Sequence, residues 1–277
     1  VRNRRAKMSQ YKIIMLGTGN AMVTKCYNTC FVMSDGTDYL LVDAGGGNGI
    51  LKQMEEAKIP YDRIHQMILT HCHTDHILGG IWVIRKIASM MEAEKFEGLF
   101  EIYCHKEAAE VFKTFCQLTL KQKFLNYIGD RIMIREVESG TEITAIGMQI
   151  IFFDIHSTKM KQFGFSAKLP DGKKVTCLGD EPYHPSCSKF VEGSDWLMSE
   201  AFCLESQKEL FKPHEKHHST VMDAGKVASD LQVSHLILYH TEDKNIKNRK
   251  TLYLKELETV FRGKAFVPDD LEVISIE

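Results

Sequence analysis

The sequence predicts an α/β protein in which two β-sheets pack face to face and helices cover their outer sides. Three observations predict it. Short runs rich in Ile, Val, Leu and aromatics recur along the 277 residues, bounded by glycine and other turn residues. Longer stretches with apolar residues at helical spacing stand between them. The alternation runs in two series with no Ser/Gly-rich linker, no short repeat and only six prolines, so one unit over 1–277 is expected.

The elements follow in order. "YKIIMLG", "NTCFVMS" and "DYLLVDAGGG" read as strands. "GILKQMEEAKI" reads as a helix, with Ile50, Leu51, Met54 and Ala57 on one face. "RIHQMILTH" is a strand, and "HILGGIWVIRKIASMMEAEKF" is too long a periodic run for one, so it is a helix. "LFEIYCH" is a strand and "KEAAEVFKTFCQLTLKQKFLNYI" one or two helices. "DRIMIREV", "EITAIGMQIIFFDIH", "QFGFSAKLP" and "KKVTCLGD" form a run of strands. "DWLMSEA" and "SHLILYH" are strands that enclose a helix at "HSTVMDAGKVASDL". "KNRKTLYLKELETVF" is a helix and the tail "LEVISIE" a strand. The glycines of "GTG" and "GGG" are tight turns rather than phosphate loops, because no Gly-Lys-Ser/Thr follows.

With 44% hydrophobic and 26% charged residues the composition is that of a globular protein. A net charge of -2 leaves no overall basic field, so any nucleic-acid contact has to be local. No apolar run approaches the ~18 residues of a membrane helix, so no membrane partner is expected. The start, "VRNRRAKMSQYKIIMLG", has an apolar stretch only from Ile13 to Leu16 and so lacks a secretory core. Met8 is the candidate native start, with Val1 to Lys7 an upstream extension. None of the eight cysteines forms a C-x-x-C pair and several sit in apolar stretches, which points to reduced thiols and a cytoplasmic setting.

"LTHCHTDHILGG" puts His71, His73, Asp75 and His76 into six positions between an apolar strand and an apolar helix. In an extended segment residues two apart point the same way, so His71 and His73 converge while Cys72 faces the core. Asp75 and His76 fall on the turn into the helix and approach the same pocket from a second direction. That pattern describes two adjacent metal positions. Further ligands stand at the ends of other strands: His156 after "IIFFDI", Asp180 after "KVTCLG" and His240 after "HLILY". Asp180 is the natural bridge, since a carboxylate can offer one oxygen to each of two cations about 3.5–4 Å apart. Asp43, after "LLV", is either a carboxylate that orients a ligating histidine or a plain turn aspartate. His218 precedes Ser219 and Thr220, which read as a helix N-cap. The run "KNIKNRK" from Lys244 to Lys250 reads either as a phosphate contact or, preferably, as a solvated helix start. His65, His105, His184, His214, His217 and His235 read as surface or packing residues.

"HCHTDH" is the H-x-H-x-D-H signature, and with it the chain resembles the metallo-β-lactamase superfamily over nearly its whole length. "IMLGTGNAM", "LLVDAGGG", His156, "LGD" and "LILYH" occur in that superfamily's order. The resemblance implies a four-layer αββα sandwich. It implies one metal held by His71, His73 and His156, a second held by Asp75, His76 and His240, and Asp180 between them. "LGTGNAMVTKCYNTCF", "HILGG", "SEAF" and "HHSTVMDAGKVASDLQVSHLILYH" are most similar to the ribonuclease Z branch, the tRNA 3′-processing phosphodiesterases. That branch implies a proton relay of Glu200 with His218, an RNA 3′ end or other phosphodiester as substrate, and a homodimer. Two departures stand out. The segment between His156 and Asp180 is too short for the branch's tRNA-gripping arm, and Ser199 stands where the branch has a histidine.

Two such cations supply hydroxide near neutral pH and neutralise charge on a phosphoryl or carbonyl oxygen, and Asp75 would also orient the nucleophile. Histidine and carboxylate ligands suit Zn, Mn or Fe. The expected function is a binuclear metal-dependent phosphodiesterase. A carboxyl-type hydrolase (lactonase, thioesterase or β-lactam hydrolase) shares the same ligands, and a non-catalytic binding protein on this fold would be expected to have lost some of them.

Overall fold

A computed structural model describes residues 11–276. The proposed extension from Val1 to Lys7, and Met8 with it, lies outside the described residues. The first half of the chain runs β1 (Lys12–Gly17), β2 (Cys30–Ser34), β3 (Tyr39–Val42), α1 (Gly49–Glu56), β4 (Ile64–Ile68), α2 (Thr74–Glu92), β5 (Phe100–Cys104), α3 (Lys106–Thr119), α4 (Gln122–Leu125) and β6 (Ile132–Glu136). The second half runs β7 (Glu142–Ala145), β8 (Met148–Asp154), β9 (Phe163–Lys168), β10 (Lys174–Cys177), α5 (Ser188–Val191), β11 (Trp196–Glu200), α6 (Lys208–Phe211), α7 (Val221–Asp230), β12 (His235–Tyr239), α8 (Arg249–Leu257), β13 (Lys264–Phe266) and β14 (Val273–Ser275).

These strands make two sheets, ordered β14-β1-β2-β3-β4-β5-β6 and β13-β12-β11-β10-β9-β8-β7. Pairing is antiparallel from β1 to β3 and parallel from β3 to β6, where helices cross over. β14 returns to the first sheet and pairs with β1, so the first and last strands of the described residues are neighbours.

The layers follow from strands that are apolar on both faces. In β12, Ile237 and Tyr239 point inward to the contact between the sheets. Leu236 and Leu238 point outward, against Val221, Ala224, Tyr253 and Leu257 of α7 and α8. The first sheet does the same: Met15, Phe31 and Val42 face the second sheet, while Leu16, Leu41 and Met67 pack with Ile77, Ile84 and Phe112 of α2 and α3. Three buried clusters thus separate four layers, and the fold is the expected αββα sandwich of the metallo-β-lactamase fold.

Three details refine the sequence reading. "EITAIGMQIIFFDIH" divides into β7 and β8 at a two-residue turn, with Ile146 and Gly147 both at positive φ (41° and 77°). That is the turn a tight hairpin favours; glycine accepts it and Ile146 is strained by it. The long helical stretch after "LFEIYCH" breaks at Leu120, whose backbone is extended. β13 is too short to show a period, and it forms because its backbone pairs with β12.

Candidate metal centre

The strand ends of both sheets meet at one edge of the sandwich. β4 ends at Ile68 and leads to His71; His73 is the N-cap of α2, and Asp75 and His76 lie in its first turn. His240 follows β12 and Asp43 follows β3, both with left-handed backbone (φ 56° and 53°). Asp180 follows β10 beyond Gly179, whose φ is 84°. Strained turns of this kind persist where the surrounding structure over-determines them, and they gather at functional sites.

Six of the seven expected side chains converge. His71 Nε2 lies 2.8 Å from His73 Nδ1 and 3.5 Å from Asp180 Oδ2. On the other side, Asp75 Oδ2 lies 3.5 Å from His76 Nε2 and 3.4 Å from His240 Nε2. Asp180 Oδ2 is 3.5 Å from both His76 Nε2 and His240 Nε2, so one oxygen faces both groups. Two donor sets result: His71, His73 and Asp180, and Asp75, His76 and His240.

The ring protons are assigned by a chain of hydrogen bonds that ends on Asp43. Asp43 accepts from the Thr70 backbone N–H (2.8 Å), the Thr70 hydroxyl (2.7 Å) and His76 Nδ1–H (2.8 Å). The Thr70 hydroxyl has one proton and gives it to Asp43, so at 2.9 Å it accepts from His71 Nδ1–H. With Nδ1–H held by Thr70 on His71 and by Asp43 on His76, Nε2 is the atom each ring would offer to a cation, once any proton on it is displaced. Asp43 is thus the orienting carboxylate rather than a turn aspartate, and Thr70 carries its reach to His71. The sequence reading missed Thr70; its only signal was adjacency to His71.

Divalent cations fit this donor set on three counts. Donor atoms around one tetrahedral cation at about 2.0–2.1 Å lie about 3.3 Å apart, close to the spacing seen here. His76 Nε2 and Asp180 Oδ1 are buried without a hydrogen-bond partner. Asp75 and Asp180 are 5% and 2% exposed, and among the described residues no lysine or arginine pairs with either. Buried carboxylates need such compensation. Burial pushes the His71 imidazole well below its usual range, against the pull of Asp180. Burial also opposes charge on His76, but the carboxylates of Asp75 and Asp43 outweigh it and hold that ring well above its usual range. Asp180 is held low: burial raises it, and the surrounding histidines overcome that.

His156 stands apart from the six. It follows β8 with φ 59°, is exposed, and packs beside the His184 ring at 5.3 Å. The two rings line a neighbouring cavity of about 340 Å³, together with His214, His217 and His218. His184, His214 and His217 are exposed, as expected of surface residues, and line that neighbouring cavity. Cys72, expected in the core, is half-buried and reaches the main cavity wall.

That main cavity, of about 600 Å³, is lined by His73, Asp75, Asp180, His240, His218 and Lys159. His218 stacks on Phe202, with centroids 4.9 Å apart. Its Nδ1 faces Glu200 Oε2 at 3.6 Å, and Glu200 is fully buried and accepts from the Ser219 N–H. The N-cap expected beside His218 is present at Thr220, which forms a capping box with Asp223. In the basic run past His240, Lys244 and Lys247 are exposed, as a solvated helix start requires, but Arg249 is not. That residue is fully buried and donates to Thr241 Oγ1 (2.6 Å), Thr18 Oγ1 (3.2 Å) and the Pro268 carbonyl (2.7 Å).

Residues 11–261 match the family described as Anti-Pycsar protein Apyc1. The chain belongs to that family. It is also similar to ribonuclease Z of Thermococcus sibiricus, 23% identical with 96% of each chain covered. Among solved structures it resembles the metallo-β-lactamase fold protein YhfI of Bacillus subtilis, with TM-score 0.78, 21% identity, and 96% of this chain and 99% of that one covered. It resembles human tRNase Z, short form, with TM-score 0.74, 20% identity, and 96% and 99% covered. This member of the Anti-Pycsar protein Apyc1 family is therefore a metal-dependent hydrolase of the metallo-β-lactamase superfamily. Among the described residues no helix is long and apolar enough to cross a membrane.

Proposed function

We propose that the chain is a phosphodiesterase that works with two divalent cations. The observation that carries this is Asp180, one oxygen of which lies 3.5 Å from His71, His76 and His240, with Glu200 Oε2 facing His218 Nδ1 at 3.6 Å nearby. Cations held by His71, His73 and Asp180, and by Asp75, His76, His240 and Asp180, would supply activated water near neutral pH and neutralise phosphoryl charge. His156 completes the first set by turning away from His184. Asp75 orients the attacking water through its carboxylate. His218 hands a proton from Nε2 to the departing oxygen, while the Glu200 carboxylate behind Nδ1 stabilises the charged ring.

No cysteine belongs to the donor sets, so Zn, Mn and Fe all suit them. The chain passes from His156 to Asp180 through the β9–β10 hairpin alone, without a long arm, which favours a phosphodiester smaller than a folded tRNA or a free RNA 3′ end. All eight cysteines are free thiols, which suits a reducing, cytoplasmic setting. A homodimer completes the reading, by likeness to ribonuclease Z.

The test is turnover of bis-p-nitrophenyl phosphate and a tRNA precursor, against thioester and lactone substrates, with Zn or Mn added. Phosphodiester turnover lost in Asp75→Ala is expected. Ester or lactone turnover alone would make the chain a carboxyl-type hydrolase. Metal analysis should find two cations per chain and fewer in His156→Ala.

A further inference from the structure

We infer that Lys159 is the residue that grips the substrate's phosphate and, in doing so, uncovers the proton donor His218. The inference rests on the phosphodiesterase reading. Lys159 sits on the connection from β8 to β9, three residues beyond His156. Its side chain is 28% exposed and lies on the wall of the cavity that holds His73, Asp75, Asp180 and His240. Its ammonium is 3.4 Å from His218 Nε2 and 3.7 Å from Glu181 Oε1.

Two features make this placement a site rather than an accident of a mobile lysine. Glu181, directly after Asp180, is 6% exposed and ties the connection down: it accepts from Ser157 Oγ at 2.6 Å and from the Thr158 N–H at 3.2 Å. Lys159 is thereby anchored beside the last residue of a donor set. Its ammonium is also held from two sides, by His218 Nε2 and Glu181 Oε1, on the same cavity wall as His73 and Asp75.

The chemistry follows from donors and acceptors. An ammonium only donates, so His218 Nε2 must be accepting from Lys159, and the ring proton is on Nδ1, toward Glu200. In that state His218 has nothing to give from Nε2. A phosphate oxygen is a charged acceptor and forms a stronger bond to an ammonium than a neutral imidazole does. An entering phosphodiester therefore draws Nζ to a non-bridging oxygen and leaves Nε2 open to take a proton from solvent water, forming the imidazolium that Glu200 stabilises, and to pass that proton to the departing oxygen. Lys216, the other cation on this wall, lies over the Phe202 ring at 5.0 Å.

The test uses the metal-loaded full chain and two readouts. Lys159→Met should lower kcat/KM on bis-p-nitrophenyl phosphate by about 100- to 1,000-fold, the range for losing a donor to transition-state charge, and Lys159→Arg should restore most of it. Inorganic phosphate, titrated calorimetrically, should bind Lys159→Met about tenfold more weakly than the wild type. Lys161→Met removes a charge from the same connection, where the ammonium lies over Phe163, and should change kcat/KM by less than about twofold. If Lys159→Met melts well below the wild type, Lys159→Gln carries the same comparison. Equal phosphate affinity in wild type and variant, or kcat/KM unchanged within about twofold, overturns the role of Lys159. A wild type that turns over no phosphodiester overturns the functional reading instead, and phosphate binding then decides Lys159 by itself.

Discussion

Asp43→Asn tests the centre through a residue that need not touch a cation. Asp43 Oδ1 accepts from the Thr70 N–H, and Oδ2 accepts from both the Thr70 hydroxyl and His76 Nδ1–H. Asparagine has nearly the same shape but only one accepting oxygen. With that oxygen toward the Thr70 N–H, the new NH2 meets two donors; flipped, it meets the amide. In the first arrangement His76 moves its proton to Nε2, where a cation needs a lone pair. Thr70, freed from Asp43, donates to His71 Nδ1 and pushes that ring toward the same wrong tautomer. Losing such an outer partner costs metal affinity about 10- to 100-fold, or roughly 1.4–2.7 kcal/mol. Here one change disturbs a ligand of each donor set, so both affinities should fall. The assay is zinc competition against a chromogenic chelator, with metal-free denaturant unfolding beside it. Unfolding should show about 1–3 kcal/mol lost for the group left unsatisfied. A folded Asp43→Asn protein that binds zinc within about twofold of the wild type would refute the hydrogen-bond chain as the orienting device.

Three further outcomes are expected. The carboxylates beside His76 hold its proton affinity well above the usual histidine range, so the metal-free ring is protonated at neutral pH and a cation must displace that proton; zinc uptake should release protons and strengthen as pH rises, read as a buffer-dependent binding enthalpy. A Cβ on Gly79 would stand 1.8 Å from the Ala44 carbonyl oxygen, where α2 crosses the turn after β3, so Gly79→Ala should cost about 1–3 kcal/mol or more and shift the helix that carries Asp75 and His76, measured by thermal unfolding and metal content. Thr220→Ala removes the capping box at the start of α7 and should cost about 1 kcal/mol in urea unfolding, with Thr220→Ser close to the wild type.

The sequence by itself determined the layers and half of the centre. Strands such as β12 are apolar on alternate residues of both faces, and α2 keeps one apolar side over 19 residues, so the burial demand of each element is written locally. His71, His73, Asp75 and His76 were legible because five covalent steps keep them together at a strand-to-helix turn, whatever the rest of the chain does. Asp180 and His240 were legible only as strand ends in a known order. Tertiary structure decided what those residues meet. Asp43 is 27 positions from Thr70 and 33 from His76, yet it fixes the Thr70 hydroxyl and the His76 ring proton, because β3 and β4 pair in parallel and end together. Likewise, Arg249 reads as part of a charged run but lies buried under Thr18 and Thr241, and Lys159 meets His218 across 59 residues. Burial of a polar group and the identity of its partner depend on which distant backbones the core brings into register, and local pattern carries no record of that.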